Sequence, residues 1–213
     1  MWFAGPAPRT SVYRQGGLRC GMKLSPGQRV GLLGGSFNPA HEGHLHVAET
    51  AMLRLGLDKV VWLVSPQNPL KESRHTAPLA ERLASARQFA RGPHMIVSDF
   101  ETRIGARYTV DTFRVLKARW PGVKFVWIMG ADNLAGFHRW RGWTDLFHLV
   151  PIAVVARPGA IQKSRFAPAA RRFAFARLHS RQGPLLADSR PPAWIYLRAP
   201  LNFLSSTALR ARR

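Results

Sequence analysis

The chain has 213 residues and a formal charge of +21, from 32 Lys and Arg against 11 Asp and Glu. That length fits one domain with a full core, and no run of eighteen apolar residues marks a transmembrane helix. The single cysteine, Cys20, cannot close an internal disulfide, which suits the cytoplasm, while the charge attracts anions unless it only reflects a bias toward arginine.

Residues 1–28 carry no acidic side chain, many Gly and Pro, and no periodicity. They lack an apolar h-region, so a secretory signal is not expected. They share an Arg-containing, acid-free character with organelle transit peptides; a disordered extension, with Met22 as an alternative start, is the simpler account. They are set apart from a domain over 29–213.

Strands and helices then alternate. Strands are predicted at 29–34, 59–65, 94–98, 124–130 and 152–157, with a sixth at 193–198. Helices are predicted at 44–56 (stopped by Gly56), 79–92, 109–120 (closed by Pro121) and 143–150, with a last helical turn in "SSTALRARR". Residues 158–192, rich in Arg, Pro and Ala, read as a loop with one short helix, "FAPAARRFAFARL". The strands are short continuous apolar runs, the mark of strands covered on both faces. The alternation predicts an α/β fold with a doubly wound parallel sheet. No internal repeat is present.

Such sheets bind ligands beyond the carboxyl ends of their strands. At those ends lie "GGSFNPAHEGH" after the first strand, "SPQNPLK" after the second and "GADN" after the fourth; "SST" precedes the last helix. Glycines permit close backbone approach, and a following helix offers free N–H groups to an anion. His41 and His44 admit three readings. As zinc ligands they lack a nearby third. As general bases they lack an evident nucleophile. As donors at a helix start they would stabilise charge developing on phosphorus. His46 and His148 have no such context.

The stretch "GGSFNPAHEGH" resembles the H-x-G-H signature of a nucleotidyltransferase superfamily with a Rossmann-like fold. "SSTALR" (205–210) resembles its second signature, about 160 residues further on. "SPQNPLK", "ETRIGARYTVDT" (101–112), "GADNLAGFHRW" (130–140) and "ARPG" (156–159) resemble the bacterial nicotinate-nucleotide adenylyltransferase family in particular. The likeness runs from about Arg29 to Arg210. It implies in-line transfer of adenylyl from ATP to nicotinate mononucleotide, giving deamido-NAD and pyrophosphate. Mg²⁺ would arrive on ATP, with no all-protein metal site.

By the same resemblance, the backbone of Gly34, Gly35, Ser36 and Phe37 meets phosphate, and His41 and His44 bind the triphosphate and its transition state. Lys71 reaches a phosphate near the reacting centre, or is a solvated loop lysine. Ser205, Ser206 and Thr207 hold the β- and γ-phosphates, with or instead of capping a helix, and Arg210 clamps pyrophosphate. Gly130 and Asp132 contact the ATP ribose; Asp132 alternatively caps a turn. Thr109 and Trp140 take the nicotinate ring, unless Trp140 is core. Arg157 guides an anionic group or pairs with an acid. One departure is Asn38, where the superfamily has Asp; the amide keeps the turn and loses the charge.

The implied partners are ATP and nicotinate mononucleotide, without nucleic acid or membrane; the oligomeric state stays open. The alternatives are another transferase of the superfamily, using nicotinamide mononucleotide, glycerol phosphate or phosphopantetheine, and a basic nucleic-acid-binding module. His41 counts against phosphopantetheine, whose enzymes have Thr there. The scattered arginines count against a nucleic-acid face.

Overall fold

The computed structural model describes residues 21–66 and 76–198. Lys71, Ser205, Ser206, Thr207, Arg210 and the expected last helical turn lie outside the described residues.

All six predicted strands form: β1 Arg29–Gly35, β2 Lys59–Val64, β3 Met95–Ser98, β4 Lys124–Gly130, β5 Ile152–Val155 and, last in the chain, β7 Trp194–Leu197. The two residues of β6, Arg177–Leu178, pair with β7 and are too few to show a pattern in the sequence. The sheet runs β3-β2-β1-β4-β5-β7-β6, and every pairing among the described residues is parallel. The chain steps outward from β1 through β2 to β3, then returns to β4 on the other side of β1. The order therefore reverses between β1 and β4, and the crevice at their carboxyl ends is the place where such sheets bind ligands.

The continuous apolar runs divide by strand periodicity into two cores. Leu32, Val61, Leu63, Trp127, Met129 and Val154 face one layer; Leu33, Val60, Trp62, Val64, Val126 and Ile128 face the other. Helices α1 (Glu42–Leu55) and α2 (Leu79–Phe89) contribute to the second. Helices α3 (Phe100–Arg103), α4 (Thr109–Arg119), α5 (Ala131–Gly136), α6 (Trp143–Leu149), α7 (Ile161–Arg165) and α8 (Pro168–Arg172) follow. Of these, α3, α4, α5, α6 and α8 bury side chains in the first.

α1 begins two residues before the predicted start because His41 caps it, and it stops at Gly56, whose φ of 61° suits a residue without Cβ. The single helix expected across "FAPAARRFAFARL" is instead broken after α8. The Phe173 carbonyl, which a continuing helix would give to Arg177 N–H, accepts from Trp194 Nε1 at 2.7 Å. A 3-10 turn at Ala174–Ala176 and then β6 follow.

The expected boundary at residue 28 also shifts. Met22 is buried in the first core, Gly27 N–H donates to Gly122 O at 2.7 Å, and Lys59 Nζ donates to Lys23 O at 2.7 Å. Residues 21–28 thus belong to the packed domain, because Met22 supplies an apolar side chain that the periodicity of so short a stretch does not reveal. Residues 1–20 lie outside the described residues.

Candidate active site

The turn from β1 into α1 is built on its own aromatic rings. A Cβ at Gly34 would fall on the Trp127 indole, and one at Gly35 would lie 3.2 Å from the Phe37 ring. The paired glycines therefore admit the chain's own rings from the core side, a reason the sequence does not supply. Phe37 has φ 45°, the left-handed region that costs a non-glycine residue about 1 kcal/mol or more. Burial of its ring offsets this: it stacks on Trp62 at 5.2 Å and meets His44 edge-on at 4.9 Å. Asn38 Oδ1 accepts from Ala77 N–H at 3.2 Å. A carboxylate could accept the same bond, so Asn in place of Asp preserves this tie.

His41 and His44 lie with ring centroids 3.9 Å apart. His41 is buried and caps α1, its Nδ1 accepting from Gly43 N–H at 3.0 Å. Burial, then the Arg157 guanidinium, lower its pKa to about 4, while Asp132 acts in the opposite sense. The imidazole is neutral at pH 7, and with Nδ1 accepting, its proton sits on Nε2. His41 is thus a fixed, uncharged N–H donor. A metal ligand at Nε2 would require the other tautomer. Among the described residues no group of three or more His, Cys, Asp or Glu could hold a metal ion.

Gly130, at the end of β4, opens α5. A Cβ there would collide with Asp132 Oδ1 and with Arg157 Cδ, which fixes this pair beside the strand end. Arg157, just past β5, donates to Asp132 Oδ2 at 3.2 Å. The acid pairing expected as one reading of Arg157 is made, with Asp132. His41, His44, Phe37, Gly130, Asp132 and Arg157 are therefore gathered at the switch between β1 and β4.

A second group forms beside it. Thr109 opens α4 and is half-buried. The Arg141 guanidinium lies over the Tyr108 ring at 4.9 Å, and a Cβ on Gly142 would lie 2.9 Å from Val110 Cγ1. The turn that carries Trp140 is thereby docked on the start of α4. Trp140 is half-buried, at 5.0 Å from Phe137 and 6.2 Å from Trp127. Part of its ring is core, and part stays accessible. Trp127 underlies both groups, touching Trp140 on one side and the position of Gly34 on the other.

Comparison with known proteins adds the lineage. The cytidylyltransferase-like family model matches residues 32–212. A Caulobacter sp. (strain K31) protein named "Probable nicotinate-nucleotide adenylyltransferase" is 69% identical over 185 residues, covering 87% of this chain and 98% of that protein. A protein of the same name from Methylorubrum extorquens (strain PA1) is 54% identical over 184 residues, covering 86% and 100%. The chain belongs to the nicotinate-nucleotide adenylyltransferase family. The fold agrees: the Plasmodium falciparum nicotinic acid mononucleotide adenylyltransferase complexed with NaAD superposes with a TM-score of 0.63 at 14% identity, covering 86% of this chain and 83% of that one.

In this family member two buried residues of charged type, Arg82 and Glu101, are not foreseen from the sequence. Arg82 sits at a core-facing position of α2 and, among the described residues, bonds main-chain oxygens alone. Its place between Leu79 and Ala86, in the apolar stripe of an otherwise amphipathic helix, was the available signal. Glu101, in α3, is buried and accepts from Thr112 Oγ1 at 3.0 Å. Burial raises its pKa to about 7, against the Thr112 hydrogen bond, which lowers it. No local pattern distinguishes it from an exposed Glu.

Proposed function

We propose that the chain transfers the adenylyl group of ATP to nicotinate mononucleotide. An oxygen of the mononucleotide phosphate attacks the α-phosphorus. The bond from that phosphorus to the bridging oxygen of the β-phosphate breaks, and pyrophosphate leaves with the electron pair. Deamido-NAD is the other product. No enzyme nucleophile takes part, so the protein's work is alignment and charge stabilisation. Alignment alone can supply about 7–11 kcal/mol.

The observation that carries this reading is the His41–His44 pair at the β1–β4 switch, with His41 neutral and its tautomer set by the Gly43 amide. A neutral N–H donor stabilises negative charge on phosphorus without surrendering a proton to bulk water. The names of the relatives supply the substrates. We assign the main chain of Gly34 to Phe37 to the triphosphate and Gly130 with Asp132 to the ribose. Thr109 and Trp140 take the pyridine ring. Arg157, held by Asp132 beside His41, serves the phosphates more directly than the pyridine. Lys71, Ser205, Ser206, Thr207 and Arg210 keep their phosphate roles on the strength of the motifs alone. Mg²⁺ enters with ATP as part of the substrate and neutralises triphosphate charge. Cytoplasmic operation fits the single cysteine and the lack, among the described residues, of a helix long and apolar enough to cross a membrane.

The test is His44→Ala. Turnover should fall by about 10²–10³, the scale of one lost transition-state donor, while ATP affinity falls far less. Retained turnover, or a loss repaired by added zinc, contradicts the assignment.

A further inference from the structure

Arg82 is a charged residue that is 2% exposed. Its guanidinium makes four hydrogen bonds: Nε to Ala77 O at 2.9 Å, Nη1 to Ser36 O at 2.9 Å and to Ser65 O at 2.7 Å, and Nη2 to Pro66 O at 2.7 Å. None of these partners is a carboxylate, and no ion pair among the described residues includes Arg82. Among the described residues the compensation for this buried cation is carbonyl dipoles alone, so its desolvation is set against the pairing of four main-chain oxygens that an apolar side chain would leave without this partner.

The carbonyls it gathers are not a random set. Ser36 belongs to the turn after β1. Ser65 and Pro66 follow β2, and Ala77 precedes α2. One guanidinium thus joins the carboxyl ends of two neighbouring strands to the helix beside them. Two further bonds repeat the connection: Ser85 Oγ, one turn along α2, accepts from Ala40 N–H at 3.0 Å, and Asn38 Oδ1 accepts from Ala77 N–H. Drawing the Ser36 carbonyl toward α2 turns the following peptide so that its N–H faces away from α2. Lysine has the charge but not the planar fork, and cannot reach four carbonyls at once.

We propose that Arg82 is a positioning residue for adenylyl transfer. Through the Ser36, Ser65, Pro66 and Ala77 carbonyls it fixes the turn after β1 and adds a buried positive charge behind it. It touches no substrate. This rests on assigning residues 34–37 to the triphosphate.

The variants are Arg82→Lys and Arg82→Ala, assayed by pyrophosphate release at least about 20 °C below each variant's melting temperature. For Arg82→Lys the expected result is a kcat loss of about thirtyfold or more, with KM for nicotinate mononucleotide changed less than about threefold. Millimolar guanidinium should restore part of the kcat of Arg82→Ala, and methylammonium should not. In the wild-type chain, the Arg82 Nε–H resonance should shift when α,β-methylene-ATP binds, a readout that needs no variant. Specific activity within threefold of wild type in Arg82→Lys, or an unmoved Nε–H resonance with the analogue bound, overturns the proposal. Failure of the underlying assignment reads differently: His44→Ala would then retain turnover whatever Arg82 does.

Discussion

His41 spends Nδ1 on the Gly43 amide and keeps Nε2–H as its donor. Its ionisation follows from its surroundings. Burial and Arg157 disfavour the imidazolium by more than Asp132 favours it, so the folded pKa of about 4 lies below the usual 6.5. In the free protein the His41 ring should remain neutral from pH 8 down to about pH 5, as read by the nitrogen and Cε1 shifts in NMR. Appearance of the imidazolium near pH 6.5 would contradict the neutral-donor assignment. The residue scale also shows what a motif hides. "GGSFNPAHEGH" marks the candidate site, yet Gly34 and Gly35 are required by the Trp127 and Phe37 rings whatever the ligand. Trp127 is not an obvious partner in the sequence, since it comes from β4.

At the scale of elements, α3 and α4 are joined by the buried Glu101–Thr112 bond, and Ala106 N–H donates to Glu101 O at 2.9 Å across the intervening turn. The turn ends at Thr109, so this bond helps set the start of α4. Because the folded pKa of Glu101 is raised to about 7 from 4.5, the native state binds more protons than the unfolded state between those values. Stability from this group is fully present below pH 4.5 and is lost as pH rises through 7. Glu101→Gln keeps an acceptor, its amide oxygen, for the Thr112 Oγ1–H and removes the ionisation. Denaturant unfolding at pH 5 and pH 8 should show the variant gaining on wild type by on the order of 3 kcal/mol. A wild-type-minus-variant difference that does not change with pH contradicts it.

The elements were largely legible. Apolar runs at 59–65 and 124–130 and the amphipathic run at 109–120 became strands and a helix with ends moved by a residue at most. What escaped was short or tertiary in cause: α3, α5, α7 and β6 have too few residues to show a period, the break after α8 comes from the Trp194 indole, and the packing of Met22 needs the finished sheet. For the site, the histidines and strand-end loops were visible because their residue types are unusual at a buried strand end. Arg82 and Glu101 were not, because burial of a charge is a property of the fold.

Across the whole molecule the charge of +21 sets a field that favours anionic substrates over neutral ones. Arg107, Arg139 and Arg141 flank Thr109 and Trp140 in the chain and are exposed. The acid and amide mononucleotides differ at one carboxylate, so this field helps the acid before any specific contact forms. Screening over about 8–10 Å limits that help at physiological salt, and the remainder must come from donors near the ring. A site that hydrogen-bonds a carboxylate leaves a donor unmatched when an amide NH₂ arrives. The most direct test of adenylyl transfer to nicotinate mononucleotide is pyrophosphate release from ATP with each mononucleotide at physiological ionic strength. The predicted result is robust turnover with nicotinate mononucleotide and a kcat/KM at least about a hundredfold lower with the amide. Comparable values for the two, or no pyrophosphate with either, would contradict it.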